Sequence, residues 1–279
     1  MNHNLHKYFL FILLSITLCS GQVNLSIAEY RPFPEKIHLL DIKPTKVSWT
    51  IANRFLLFDQ YKRELLELDA FGDVNLSSGV GQNISGYEDL VWMGISPQGI
   101  LLVDRLENEI VQLDFRLNPV HTIDLNRRIF PEKAALDPWG KLYLYSRDYN
   151  SIFLFDKGEL DPTPIVNLSK EFGSVFCMAE MQINQEGEMA ILGCDGMIHI
   201  FSQNGRKKIS FPSTIENAVF LIAVRDDWFV FNRMGAGISI HSQKKVSIPG
   251  ASVPIEDMAS MNRSIAVLAK DHILILDVK

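Results

Sequence analysis

Three arginines recur at one position of a sequence repeat, and they are the residues of this chain best suited to bind an anion. Arg105, Arg147 and Arg233 each stand five positions before an isoleucine that opens an apolar run, and Gln60 holds the same place before Leu65. A guanidinium group matches the geometry of a carboxylate or phosphate, and repetition at one position concentrates positive potential. We expect these arginines to pair with acids in neighbouring loops. An anion-binding mouth is the alternative.

Acidic loop residues offer a second chemistry, either as partners of the arginines or as metal ligands. A metal site would need several of these carboxylates to converge from different repeats. None of them lies in a specific motif, so the sequence assigns no catalytic residue, no metal site and no cofactor. The candidates for such a site are Glu88, Asp89, Asp104, Asp195, Glu256 and Asp257.

Two cysteines flank a hairpin whose predicted turn is Asn184-Gln-Glu-Gly187. In a regular antiparallel hairpin, paired residues have a constant sum of residue numbers. Cys177 and Cys194 have the same sum as the two ends of the turn, so they should face each other within disulfide range. An oxidising compartment would let the bond form. Two buried free thiols, or a β-bulge that breaks the register, are the alternatives.

Other motifs of enzymes are absent from the sequence. It contains no Gly-x-Ser-x-Gly nucleophile elbow, no phosphate-binding glycine loop and no Cys-x-x-Cys pair. The net charge of −6 argues against a nucleic-acid partner, because sequence-independent binding depends on neutralising phosphates.

An internal repeat of about 40 residues must position these side chains. Its marker is a short β-type run that ends in Asp or Ser, found at 64–69, 109–114, 151–156, 197–202, 237–242 and 272–277. A second β-rich run precedes each marker, at 55–59, 100–104, 142–146, 188–193, 228–232 and 265–269. A polar turn and another apolar stretch precede each second run, and a looser fourth stretch follows the marker. Four strands per unit, six times over, predict an all-β, six-bladed β-propeller with four-stranded antiparallel blades.

The sixth unit ends at Lys279 after three strands, so its fourth strand must come from elsewhere in the chain. We expect residues 37–42 (Ile-His-Leu-Leu-Asp-Ile) to pair with residues 272–277 and close the ring, which would cover the open sheet edges. The expected organisation is a signal peptide at 1–21, a linker at 22–35 and one propeller at 36–279.

The N-terminal segment has the order of an export signal: a polar start, an 11-residue apolar run from Tyr8 to Leu18, and small residues before Gln22. We therefore expect a secreted or periplasmic protein with no transmembrane helix in its mature chain. Cys19 follows the apolar run directly and allows an alternative, a membrane-anchored lipoprotein acylated at that residue.

The stretch from Phe71 to Asp114 resembles an NHL-type repeat. It combines a glycine-rich lead-in, a hydrophobic strand, the turn Ser96-Pro-Gln-Gly99 and Val-Asp-Arg before an asparagine-containing loop. The resemblance implies a binding scaffold, while a minority of related six-bladed propellers are metal-dependent lactonases and lyases. We expect a non-catalytic propeller that presents one channel mouth to a protein, peptide or small anionic ligand. The alternative is a metal-dependent hydrolase, lactonase or lyase that uses channel carboxylates.

Overall fold

The computed structural model describes residues 24–76, 87–250 and 252–279, in which six antiparallel sheets form a ring. The predicted signal peptide at 1–21, with Cys19, lies outside the described residues. The predicted fold class, an all-β propeller with six blades, is confirmed.

Each blade runs from an innermost strand beside the axis to an outermost strand at the rim. Blade one contains β2 (Lys46–Trp49), β3 (Phe55–Asp59), β4 (Glu64–Leu68) and β5 (Val74–Leu76). Blade two contains β6 (Leu90–Ser96), β7 (Gly99–Asp104), β8 (Glu109–Leu113) and β9 (Pro119–Asp124). Blade three contains β10 (Lys133–Leu136), β11 (Leu142–Ser146), β12 (Ser151–Asp156) and an outer strand split into β13 (Glu159–Leu160) and β14 (Val166–Asn167).

The second half of the chain repeats this arrangement. Blade four contains β15 (Met178–Ile183), β16 (Met189–Gly193), β17 (Met197–Phe201) and β18 (Lys207–Pro212). Blade five contains β19 (Ala218–Val224), β20 (Asp227–Asn232), β21 (Ala236–Ser239) and β22 (Lys244–Ser247). Blade six contains β23 (Asp257–Met261), β24 (Ser264–Leu268), β25 (His272–Val278) and β1 (Leu25–Pro32). Two short helices, α1 (Glu35–Leu39) and α2 (Leu168–Phe172), and a 3₁₀ turn at Ile51–Asn53 lie between strands.

The core of the described chain consists of hydrophobic clusters between neighbouring blades. Each cluster draws on two adjacent sheets, and the cluster between blades six and one completes the ring. The second strands are therefore buried on both faces, as every residue of β3 and β11 is. A strand that is covered on both faces appears in sequence as a continuous apolar run, which explains the unbroken FLLF and LYLY segments.

The strand that closes the ring is not the predicted one. β1 pairs antiparallel with β25, from Leu25 opposite Val278 to Pro32 opposite His272. The prediction that residues 37–42 form this strand is wrong. The strand Leu25–Pro32 lies instead within the segment that we expected to be a linker. Residues 35–39 instead form α1, which follows Pro34 in an extended conformation.

The error has a physical origin in the two segments. A short apolar run does not distinguish helix from strand by periodicity, and Ile37 and Ile42 are buried in the cluster between blades six and one while Leu39 is exposed. β1 carries Ser26, Glu29 and other polar residues because an outermost strand is only partly covered, so it lacks the apolar signature of the inner strands.

A buried arginine fastens β1 to blade one. Arg31 is 4% exposed, donates from Nε to Glu29 at 2.8 Å and from Nη1 to the carbonyl of Asn53 at 3.0 Å, and lies over the ring of Phe55. Its guanidinium charge is thus paired and hydrogen-bonded at the seam where the two ends of the ring meet, as a buried charge requires.

The predicted disulfide between Cys177 and Cys194 is confirmed, with their Cα atoms 5.4 Å apart. The assumed regular register is wrong, however. Near the turn, Ile183 pairs with Met189, one residue out of the expected register, and a bulge between Met178 and Glu180 restores it before the cysteines. The one-residue shift at the turn and the bulge offset each other, so the two cysteines face each other.

Neither α1 nor α2 is long or apolar enough to cross a membrane, and the same holds for every helix in the described part of the chain.

A truncation pair tests the closing strand. A variant that starts at Asn24 should keep the parent free energy of unfolding. A variant that starts at Pro34 should lose about 3 kcal/mol or more, because it removes the buried side chains of Leu25 and Phe33 and leaves the edge of β25 unpaired. Urea unfolding followed by tryptophan fluorescence measures both values. Equal stability of the two truncations would show that β1 does not hold the ring closed.

The disulfide closes a loop with a sequence separation of 17, for which a chain-entropy estimate gives about 3 kcal/mol. We expect reductant to lower the unfolding free energy of the parent by about this amount. The double variant Cys177→Ala/Cys194→Ala should be less stable from the start and insensitive to reductant in the same urea titration. If reductant leaves the unfolding free energy of the parent unchanged although its two thiols become titratable, this expectation is contradicted.

Candidate functional site

A central channel of about 620 Å³ runs along the propeller axis and is lined by the innermost strands of all six blades. Each of these strands is the edge of its sheet, so half of its backbone N–H and C=O groups have no partner within the sheet. The channel wall therefore combines backbone polar groups with the side chains that these strands turn toward the axis.

Six structurally equivalent residues form one layer of this wall, which we call the charged layer. Three innermost strands are regular and contribute their first residue. The other three strands, β6, β15 and β19, carry a bulge near their start. Each of them contributes its third residue, which is the first one after the bulge. In blade order, the charged layer consists of Lys46, Trp92, Lys133, Glu180, Phe220 and Asp257, all of which line the channel.

Charge is distributed unevenly around this layer. The two lysines, from blades one and three, flank Trp92 of blade two. The two acids, from blades four and six, flank Phe220 of blade five. In a ring of six, blade two lies opposite blade five, so within this layer the two lysines and the two acids occupy opposite halves of the ring.

Asp257 is the acid whose environment is most perturbed. Its Oδ2 accepts the backbone N–H of Val47 across the blade six–blade one seam at 2.8 Å. Burial raises the pKa of this carboxyl to about 6, Glu180 adds to the rise, and Lys46 and the Val47 N–H oppose it. A carboxyl that titrates near neutrality inside a cavity is a common feature of functional sites.

The other charged groups of the layer differ in how well they are paired. Lys133 lies 3.3 Å from Glu180 Oε2, and Glu180 Oε1 accepts the N–H of Met181 at 3.0 Å. The Lys46 ammonium has no ion pair and no hydrogen bond within the ranges that the structure describes, although it lies close enough to Asp257 to influence its pKa. Lys46 is therefore the cation of the charged layer that is most available to a ligand.

The predicted arginine positions lie at the top face, which carries the loops between second and third strands and the loops between blades. Arg105 donates from Nε to Asp89 at 2.6 Å and lies 3.9 Å from Glu132. Arg233 donates to the carbonyl of Ile255 at 3.1 Å and lies 3.6 Å from Glu256. Two of the arginines are thus engaged with inter-blade acids.

Arg147 and Gln60 are both exposed at the same face. Arg147 forms no ion pair with any residue of the described segments, and the backbone N–H of Gln60 bonds to Thr45. None of the three arginines lines the channel, and neither does Gln60. An anion-binding mouth formed by these residues stays a prediction.

Most of the acidic candidates hold loops in place. Asp104 is buried and accepts the backbone N–H groups of Asp89, Leu106 and Glu107. Glu88 pairs with Arg63 at 2.7 Å.

Asp195 accepts the N–H of Met197, and Glu256 and Asp89 face the arginines named above. Of the six acidic candidates, Asp257 is the one that lines the channel. Among the described residues, no three His, Cys, Asp or Glu side chains are grouped as a metal site.

Sequence reasoning missed Lys46, Lys133 and Glu180. Lys46 and Lys133 each open a first strand, as in Lys133-Ala-Ala-Leu136, whereas Glu180 is the third residue of its strand. Counting back from the turn does not align them, because three of the six first strands contain a bulge and three do not.

No protein-family model matches this chain, and no curated protein matches it. Solved structures do match its fold. Virginiamycin B lyase from Staphylococcus aureus is 10% identical with a TM-score of 0.64, over 92% of this chain and 100% of that chain. YCF48 bound to D1 peptide is 11% identical with a TM-score of 0.58, over 85% of this chain and 78% of that chain.

A third structure, PorZ, is a surface component of the type IX secretion system of Porphyromonas gingivalis. It is 13% identical with a TM-score of 0.56, over 85% of this chain and 32% of that chain. At these identities the matches show the propeller fold alone. The resemblance to NHL repeats stays a prediction.

The raised pKa of Asp257 predicts a pH-dependent cost in stability. Because the folded-state pKa of about 6 lies above the ordinary pKa of 3.8 for an aspartate, ionising Asp257 destabilises the fold, and stability is lost as the pH rises from about 4 to about 6. Asp257→Asn should therefore raise the unfolding free energy at pH 8 by up to about 3 kcal/mol relative to the parent, and change it little at pH 4.

Urea titrations at the two pH values measure this difference. Glu216→Gln removes one exposed acid as a control and should show no such pH-dependent gain. A gain for Asp257→Asn that is the same at both pH values would contradict the assigned cause.

Proposed function

We propose that this protein is an exported binding propeller that holds a small polar ligand or a peptide segment in its central channel. The observation that carries the proposal is the channel itself, in which all six blades contribute wall residues and four charged side chains meet in one layer. Its volume of about 620 Å³ falls within the range of small-molecule sites.

The cost of this layer supports a binding role. Half-buried lysines and a carboxylate with a raised pKa do not improve packing, and a wall of apolar residues of similar size would be at least as stable. Residues that lower stability are commonly retained where they bind or react.

Export is supported by the Cys177–Cys194 disulfide, because such bonds persist in oxidising compartments. The similarity in fold to a propeller solved with a bound peptide, YCF48, supports a peptide segment as one ligand of this architecture.

An enzymatic role is the second candidate, and Asp257 is the observation that favours it. A carboxyl with a pKa of about 6 in a cavity suits a general base. The fold similarity to virginiamycin B lyase extends over nearly the whole of both chains. In such an enzyme Asp257 would remove a proton from a substrate held in the channel.

A plugged-channel variant tests the binding proposal. Ser48→Phe places a bulky ring into the channel, where Ser48 forms part of the wall, and Thr122→Phe places the same ring on the exposed outer strand β9 as a matched control. The probes are inorganic phosphate, the free amino acids and a tripeptide library, tested by thermal shift. We expect compounds that stabilise the parent and Thr122→Phe to lose their effect on Ser48→Phe.

Equal stabilisation of all three proteins would place binding outside the channel and overturn the proposal. NMR time courses on the same compounds address the enzymatic candidate. Turnover by the parent that is absent in Asp257→Asn would establish that candidate, and unchanged turnover in that variant would exclude Asp257 as the base.

A further inference from the structure

The charged layer has no net formal charge. Its lysines and its acids are grouped on opposite halves of the ring, and the two halves meet where Lys133 lies 3.3 Å from Glu180. Lys46 and Lys133 flank blade two, and Glu180 and Asp257 flank the opposite blade five. We propose that the channel binds a zwitterionic ligand, a free amino acid or a short peptide with both termini free, with its carboxylate toward the lysines and its ammonium toward the acids. This inference rests on the proposed binding function and specifies its ligand.

The charge balance of the layer discriminates between ligand classes. An anion would be attracted to the lysine half and repelled by the acids across the channel, and a cation would meet the reverse. A ligand with both charges gains at both ends, and inside a cavity these interactions are stronger than in water.

The lysine half retains hydrogen-bonding capacity for a carboxylate. Within residues 24–76, 87–250 and 252–279, the Lys46 ammonium forms no hydrogen bond or ion pair, and Lys133 uses one contact, to Glu180. An ammonium group has three donors, so Lys133 keeps two of them. Trp92 lies between the two lysines in the layer, and its ring packs along blade two over Gly94, where a Cβ atom would come within 2.4 Å of the ring. Trp92 thus contributes aromatic surface to the channel wall between the two lysines.

The acidic half retains capacity for an ammonium group. The Asp257 carboxylate accepts the backbone N–H of Val47 on Oδ2 and also interacts with the backbone N–H of Met258. A carboxylate offers about four lone-pair sites, so capacity remains. Desolvation without full pairing makes the charged form of Asp257 costly. A ligand ammonium placed beside Asp257 would offset that cost. A ligand that carries an ammonium group should therefore bind more tightly than one that lacks it.

Four forms of one dipeptide test the inference by isothermal titration calorimetry at pH 7.5. They are L-alanyl-L-alanine, its N-acetyl form, its C-terminal amide, and the form blocked at both ends. In that order, the four forms carry both charges, only the negative charge, only the positive charge and no charge. We expect the free dipeptide to bind at least about tenfold more tightly than each blocked form, because each block removes one charge-assisted hydrogen bond.

Single substitutions assign each half of the layer. Lys46→Met should weaken the free dipeptide and the N-acetyl form by about tenfold and leave the amide unchanged. Asp257→Asn should weaken the free dipeptide and the amide and leave the N-acetyl form unchanged. Lys157→Met, at an exposed turn, is the matched control and should change none of them. Urea unfolding of each variant confirms that it is folded.

The outcomes separate this inference from the proposed function. Equal affinity for the four forms, or none for any of them, overturns the zwitterion inference. If a blocked form binds best and its binding is lost in Ser48→Phe, the channel remains a binding site for another ligand class. Dipeptide binding that survives Ser48→Phe would overturn both proposals.

Discussion

The structure depends on one constraint: a four-stranded sheet of about 40 residues cannot cover both of its own apolar faces. Each blade is therefore stable only between two neighbours, and the six clusters of the described core lie between blades rather than within them. The chain ends must meet in one blade, because any unpaired terminal blade would expose a hydrophobic face. The seam between blades six and one consequently carries a shared sheet, a packed cluster and the buried Arg31.

The same constraint creates the candidate site. Stacking uses the faces of the sheets, so their innermost edges remain open toward the axis, and no sheet partner covers them. Seam and channel also meet in one contact, since Asp257 of blade six accepts the N–H of Val47 from blade one. The carboxylate thus contributes both to ring closure and to the negative half of the charged layer, and its raised pKa reflects the burial that this double position imposes.

Much of the fold follows from the sequence because second and third strands are buried on both faces and their apolar runs recur regularly. The closing strand did not follow, because an outermost strand such as β1 keeps polar residues, while the apolar stretch around Ile37 packs as a helix. The disulfide pairing was correct only because an error in the turn register was cancelled by a bulge before Cys177. A bulge inserts one extra residue into a strand, and periodicity does not reveal it.

The site was harder to predict than the fold. The repeated arginines point to the top-face loops. There, Arg105 and Arg233 form ion pairs with acids of the inter-blade loops. The channel residues come from first strands of two kinds, regular and bulged, and therefore share no fixed spacing in sequence. Of all the candidates, Asp257 is the one that both the loop pattern and the channel geometry select.

An experimental structure of the protein with L-alanyl-L-alanine tests the central claim most directly. The account predicts the dipeptide in the central channel, with its carboxylate against Lys46 and Lys133 and its ammonium against Glu180 and Asp257. A dipeptide bound instead at the loops of Arg105, Arg147 and Arg233, or bound in the channel with its ends reversed, would contradict it.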